Sequence, residues 1–312
     1  MDYMDFERPV AELKARVAEL SAADVSGDVS AEIGKIDARA DKLLAETYAN
    51  LTPWQKTQVA RHPKRPHFRD YVAGLVDEFV PLSGDRAFSD DQAILGGLGR
   101  FDGRRVMVIG HEKGDDTASR IRHNFGMGKP EGYRKAMRLM RLADRFGLPV
   151  LTLVDTSGAF PGIEAEERGQ AEAIARSTEQ CLRLGVPMVA AVVGEGGSGG
   201  AIALAAADRV LMFEHAVYSV ISPEAGASIL WRTPEKAAEM AQAMKVTAQD
   251  LHRLGVIDTI VREPVGGAHR DPAAAIGGLK TAIGDALSEL SPLSPSELQR
   301  RRRQRFLDMG TL

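Results

Sequence analysis

The chain has 312 residues, of which 44% are hydrophobic and 27% charged, so it is long enough to bury a large core. A formal net charge of −3 argues against a protein that seeks nucleic acid or an anionic membrane with its whole surface. Its single cysteine, Cys181, excludes a disulfide framework or a cysteine-cluster zinc site within the chain and reads as buried filler in a helix.

The first seven residues are acidic and lack the apolar stretch of a signal peptide, and no apolar run reaches membrane-spanning length, so the expected setting is the cytoplasm. Residues 8–60 read as polar helices, with Leu13, Val17 and Leu20 at helical spacing and Ser30 opening a second helix that runs to about residue 50. Such amphipathic helices cannot bury themselves alone and must lie on the main domain or on a partner. Arg61-His62-Pro63-Lys64-Arg65-Pro66-His67 reads as a basic, proline-broken link, either solvated or touching an anionic ligand, and a helix is predicted over 70–79.

From residue 93 the pattern changes. Two apolar stretches, 93–101 and 105–110, flank Asp102-Gly103, a hairpin-turn signal. A polar loop (113–129) precedes a helix over 130–146, a strand over 150–155, a loop over 156–162 and one long helix over 164–184. Strand 188–193 leads into a glycine-packed turn and a small-residue helix (201–207). Short strands 210–213, 217–221 and 257–261 and further helices from Pro223 onward follow, ending with a helix over 272–290. Strand–helix alternation with apolar runs such as Val150-Leu151-Thr152-Leu153-Val154 indicates an α/β fold with buried, mostly parallel strands. The arginine-rich tail forms a capped basic helix. The expected divisions are a helical N-terminal extension (1–85), a catalytic domain (86–292) and a basic helical tail (293–312).

The turn Gly194-Glu195-Gly196-Gly197-Ser198-Gly199-Gly200 carries the most chemistry. Glycines at a strand-to-helix junction let a ligand approach bare backbone, with the first N–H groups of the helix aimed at it. Gly194, Gly196 and Gly199 fit a dinucleotide-binding pattern with Glu214 downstream, but Glu195 occupies the place of the pyrophosphate. Gly196, Ser198 and Gly200 fit a nucleophile elbow, with Asp208 or Asp258 and His252 or His269 as nominal partners for a serine hydrolase. A third reading makes the N–H groups of Gly199 and Gly200 the chemical tool and Ser198 a small helix-entry residue. No carboxylate pair and no histidine spacing suggests an acid/base couple or a metal site.

Several segments together resemble one family. They are Gly84-Asp85-Arg86-Ala87, Arg122-His123-Asn124-Phe125-Gly126-Met127, Pro130-Glu131-Gly132-Tyr133-Arg134-Lys135-Ala136, the loop 155–162, the turn 193–201, Tyr218-Ser219-Val220-Ile221-Ser222-Pro223-Glu224 and Glu263-Pro264-Val265-Gly266-Gly267-Ala268-His269-Arg270. In order and spacing the sequence is similar to the alpha subunits of the carboxyltransferase component of bacterial acetyl-CoA carboxylase. Ser157 stands where that family often has proline, and Ala225-Gly226 replaces a usual Gly-Cys; neither removes a backbone donor.

The resemblance implies a crotonase-like superhelix of ββα units and transfer of a carboxyl group from carboxybiotin to acetyl-CoA, giving malonyl-CoA. It implies a zinc-ribbon beta subunit in an alpha2beta2 assembly, a biotin carboxyl carrier protein, and a biotin carboxylase that uses ATP, with no metal in this chain. It places the oxyanion hole for the biotin ureido oxygen on Gly199 and Gly200, with Gly197, Ser198 and Ala201 adjacent. It also makes Gly158, Ala159 and Phe160 an opposing wall and has Arg122, Lys113 and Lys129 meet CoA phosphates. The biotin enolate then serves as the base for the acetyl methyl proton, which accounts for the missing catalytic histidine.

Overall fold

The computed structural model describes residues 3–22 and 27–310; positions 23–26 of the expected helical stretch 8–60 and the ends of the expected extension and tail lie outside them. Helices α1 (Arg8–Ala22), α2 (Gly27–Ala49) and α3 (Pro53–Ala60) lie within the expected N-terminal extension. They bury a small core of their own around Val10, Leu44, Tyr48 and Val59. Lys14 holds α1 to α2 through Asp37 at 2.7 Å and Asp41 at 2.6 Å. Thr52 caps α3 by accepting from the N–H of Gln55, with Pro53 at the first helical position.

Helix α4 (Phe68–Leu75) then ends where β1 (Asp77–Pro81) begins. The helix predicted over 70–79 stops short of its expected end. Val76 instead turns extended, and β1 pairs antiparallel with β2 (Ile94–Phe101) as a sheet edge, where Pro81 is tolerated. The hairpin between β2 and β3 (Arg104–His111) turns at Asp102 (φ 46°) and Gly103 (φ 77°), as the Asp-Gly pair requires.

After α5 (Thr117–Arg122) and α6 (Pro130–Phe146) come β4 (Val150–Thr156), α7 (Ile163–Glu167) and α8 (Gln170–Arg183). The single long helix expected over 164–184 is broken at Gly169, whose φ of 79° is outside the helical range. Strand β5 (Met188–Gly197) leads into α9 (Ser198–Ala205). It is followed by β6 (Arg209–Phe213), β7 (Val217–Ser219), α10 (Pro223–Trp231), α11 (Ala237–Met244), α12 (Ala248–Arg253), β8 (Thr259–Val261), α13 (Pro272–Leu290) and α14 (Pro295–Asp308).

The sheet order is β1-β2-β3-β4-β5-β6-β8, antiparallel to β3 and parallel beyond it. Helices cover both faces. A Cβ on Gly96 would touch Leu139 of α6, whereas one on Gly110, on the opposite side of the pleat, would touch Phe68 of α4. This two-sided cover is why β4 and β5 are buried at every position and read as unbroken apolar runs.

Strand β5 changes partners along its length. Residues 189–192 pair with β6, but Glu195, Gly196 and Gly197 pair with β7 instead. The sheet therefore divides just before α9. The glycine turn read from the sequence begins later than expected, because 194–197 remain strand.

The basic tail is docked. Ser294 caps α14, and the buried Arg302 donates to Asp208 at 2.6 and 2.9 Å and to the carbonyls of Cys181, Leu184 and Val186. Cys181 is fully buried beneath it, and burial pushes its thiol up to about 12.

Candidate active site

The chain reverses from β5 into α9 at Ser198, which adopts φ 51°, a conformation costly for a side-chain-bearing residue. Gly197 is the N-cap residue and has no side chain with which to cap the helix. The N–H groups of Gly199 and Gly200, at the second and third helical positions, have no acceptor within the helix. With the positive end of the helix behind them, such N–H groups can donate to negative charge.

The loop after β4 faces them. A Cβ on Gly200 would lie 2.8 Å from the carbonyl carbon of Gly158 and 2.9 Å from the nitrogen of Ala159, so only glycine permits this approach. The Thr156 hydroxyl donates to the Gly158 carbonyl at 2.7 Å and accepts from the Gly158 N–H at 3.1 Å. Phe160 donates its N–H to the Gly128 carbonyl at 3.0 Å and accepts from Gln170 at 2.8 Å. The loop is therefore clamped from two sides. On the open side of the turn lies a cavity of about 510 Å³, mostly apolar, bordered by Ser198, Gly199, Ile202, Tyr218 and Val220. Ala201 is buried behind the donors.

Beneath the turn is a polar network that local sequence did not disclose. Asp155, at the end of β4, accepts from the Glu195 N–H at 2.9 Å and pairs with Lys113 at 2.6 Å, with His67 Nδ1 3.8 Å away. Burial alone would raise the Asp155 carboxyl, but Lys113 and these donors hold it well below the usual carboxylate range. In the link 61–67, Arg61 is half-buried and His62, Arg65, Pro66 and His67 are buried, while Pro63 and Lys64 are exposed. Arg61 binds Glu195 and Glu224, and Arg65 forms a fork on Glu263 at 2.7 and 2.8 Å. Their partners lie 134 to 198 residues away, beyond the reach of spacing arguments.

The cationic candidates are not gathered at one point. Lys113 is committed to Asp155, Lys129 sits 4.9 Å over the Phe160 ring and 3.4 Å from Glu164, and Arg122 ends α5 in an exposed position. A serine triad does not assemble. Asp208 and Asp258 are bonded to the N–H groups of Met188 and Val210, at the starts of β5 and β6, and to Arg302 and Arg305. That is the opposite end of the sheet from Ser198. His252 is exposed on α12, and His269 stacks on His62 with ring centroids 3.8 Å apart. Among the described residues no group of three His, Cys, Asp or Glu side chains is arranged to hold a metal ion.

An uncapped helix start packs against a second glycine loop, on a sheet that splits at that point. Solved structures share the fold. Transcarboxylase 12S superposes with a TM-score of 0.61 at 19% identity, covering 76% of this chain and 44% of that one. The beta subunit of P. aeruginosa geranyl-CoA carboxylase superposes with a TM-score of 0.57 at 20% identity, covering 77% and 46%. The family model described as acetyl co-enzyme A carboxylase carboxyltransferase-like matches residues 3–310. Proteins named acetyl-coenzyme A carboxylase carboxyl transferase subunit alpha are 73% identical over 310 residues in Rhizorhabdus wittichii and 66% identical over 311 in Zymomonas mobilis, each covering 99% of both chains. The chain belongs to the acetyl-CoA carboxylase carboxyltransferase family.

Proposed function

We propose that this chain is the carboxybiotin-receiving half of a carboxyltransferase that forms malonyl-CoA from acetyl-CoA. The observation that carries this reading is the uncapped start of α9, with Gly199 at the edge of a cavity and Gly200 buried against Gly158 and Ala159 of the facing loop. Carboxybiotin, brought by its carrier protein, supplies an activated carboxyl group whose departure concentrates negative charge on the ureido oxygen. The two N–H groups receive that oxygen. Because they are fixed before reaction, they strengthen as charge develops and need no reorganisation. Loss of one such donor raises the barrier by roughly 3–4 kcal/mol.

Gly197, Ser198 and Ala201 hold the register of the turn, and Gly158, Ala159 and Phe160 form the opposite wall. In this reading Arg122 and Lys129 meet phosphates of CoA, whereas Lys113 serves Asp155. The second half of the site comes from a zinc-ribbon beta subunit, in an alpha2beta2 assembly served by the carrier protein and an ATP-using biotin carboxylase in the cytoplasm. Mixing the purified chain with its beta subunit tests this. Carboxyl transfer to acetyl-CoA should appear only in the mixture and should survive Ser198→Ala. Activity from the chain alone that vanishes with Ser198→Ala would point to a hydrolase instead.

A further inference from the structure

We propose that Arg61, contributed by the N-terminal helical extension, is a positioning residue for the oxyanion turn. The inference rests on the carboxyltransferase reading and extends it to a residue outside the catalytic domain. Arg61 closes α3, where its own N–H donates to the carbonyls of Thr57 and Gln58, both at 3.2 Å. Its guanidinium reaches Glu195 Oε1 from Nη2 at 2.6 Å and from Nε at 3.0 Å. It reaches Glu224 Oε1 from Nη1 at 2.5 Å and Oε2 from Nη2 at 3.4 Å. One cation thus joins the extension, the end of β5 and the start of α10.

The two carboxylates occupy consequential places. Glu195 stands three residues before Ser198 on the stretch paired to β7, and its side chain is only 9% exposed. Its N–H is already bound to the carboxylate of Asp155. Glu224 sits in the first turn of α10, a few residues beyond Tyr218 and Val220, which border the cavity. Without Arg61, Glu195 would be a buried charge facing a second carboxylate, close to the ionised Asp155. Like charges in a poorly solvated place repel, and relief requires the end of β5 or α10 to move. Either movement displaces the donors at Gly199 and Gly200, and misplacement by about 1 Å can lower a rate by roughly a hundredfold. A lysine cannot replace this contact, because a point charge does not span two carboxylates as the guanidinium fork does.

Arg61 also borders a cavity of about 220 Å³ with Pro63, Arg120 and Glu195, so a small guanidinium compound has room to enter once the side chain is removed. The test uses the intact complex of this chain with its beta subunit. It follows carboxyl transfer between malonyl-CoA and a free biotin ester, with the assembly checked by sedimentation. Arg61→Ala should lower kcat at least tenfold and leave the KM for malonyl-CoA within twofold. Methylguanidinium should restore part of that loss and leave the wild type unchanged, and adding Glu195→Gln to Arg61→Ala should restore activity by removing the unbalanced charge. Should Arg61→Ala fail to assemble, Arg61→Lys should assemble and still lose at least fivefold in kcat. A kcat within twofold of wild type in the assembled variants would overturn the inference, as would a loss that neither methylguanidinium nor Glu195→Gln restores. Failure of the wild-type complex to transfer carboxyl would instead overturn the carboxyltransferase reading beneath it.

Discussion

The main-chain N–H of Glu195 donates to Oδ1 of Asp155 at 2.9 Å, tying the ends of two neighbouring parallel strands together just below the donor turn. The same carboxylate binds Lys113 at 2.6 Å. Asp155→Asn would leave Lys113 without its counter-charge. Breaking one side of such a buried pair typically costs about 3–5 kcal/mol. Denaturant titration should show a loss of that order, with kcat falling further than residual folding explains.

Glycine substitutions at the turn should differ sharply. A Cβ at Gly200 meets backbone atoms of Gly158 and Ala159 below 3.0 Å, and backbone cannot step aside. At Gly199 it meets only Ile174 side-chain atoms, at 3.3 and 3.5 Å, which can adjust. Gly200→Ala should therefore lower kcat by about a hundredfold, while Gly199→Ala should stay within a few fold. Steady-state kinetics of the two variants in the assembled enzyme provides the comparison.

Arg302 is fully buried and satisfied by Asp208 and three carbonyls, which makes it the buried anchor of α14 beside the outer contacts of Arg305 and Gln299. Arg302→Ala should destabilise the chain by about 3–5 kcal/mol, since Asp208 and the carbonyls lose their donor together. Thermal melting should record the change. Arg303→Ala, on the exposed face of the same helix, should leave the melting temperature nearly unaltered.

Acid should weaken the fold in two stages. Burial lowers His111 from 6.5 to about 4, so the unfolded chain takes up this proton first. Stability is then fully present above pH 6.5 and declines as pH falls toward 4, by roughly 3 kcal/mol for this group. Burial would raise Glu263, but Arg65 brings it down to about 2, so its contribution holds above the ordinary carboxylate range and fades below it. His111→Gln should remove its own share of the first stage, to which the lowered His215 and His269 also contribute, and leave the second intact. Unfolding free energies measured at intervals from pH 7 to pH 3 provide the check.

What the sequence disclosed was local. The Asp102-Gly103 hairpin, helices α6 and α13, the buried parallel strands and the glycine-bearing start of α9 all follow from turn chemistry and periodicity over a few residues. What it concealed depended on distant partners. Strand β1 forms because β2 offers an edge, and 194–197 stay extended because β7 pairs with them, which no local pattern encodes. Gly169 could have been suspected as a helix break, since glycine alone adopts its φ without strain. The partners of the basic residues Arg61, Arg65 and Arg302 are not legible locally because their carboxylates lie far away in the chain.

Replacing the Gly200 amide by an ester, with glycolic acid incorporated at that one position, removes the N–H donor and leaves shape and side chains unaltered. In the complex with the beta subunit, kcat should fall by about a hundred- to a thousandfold while assembly and the KM for acetyl-CoA stay as they were. An ester enzyme that turns over at the wild-type rate would contradict the assignment of the oxyanion hole to this helix start.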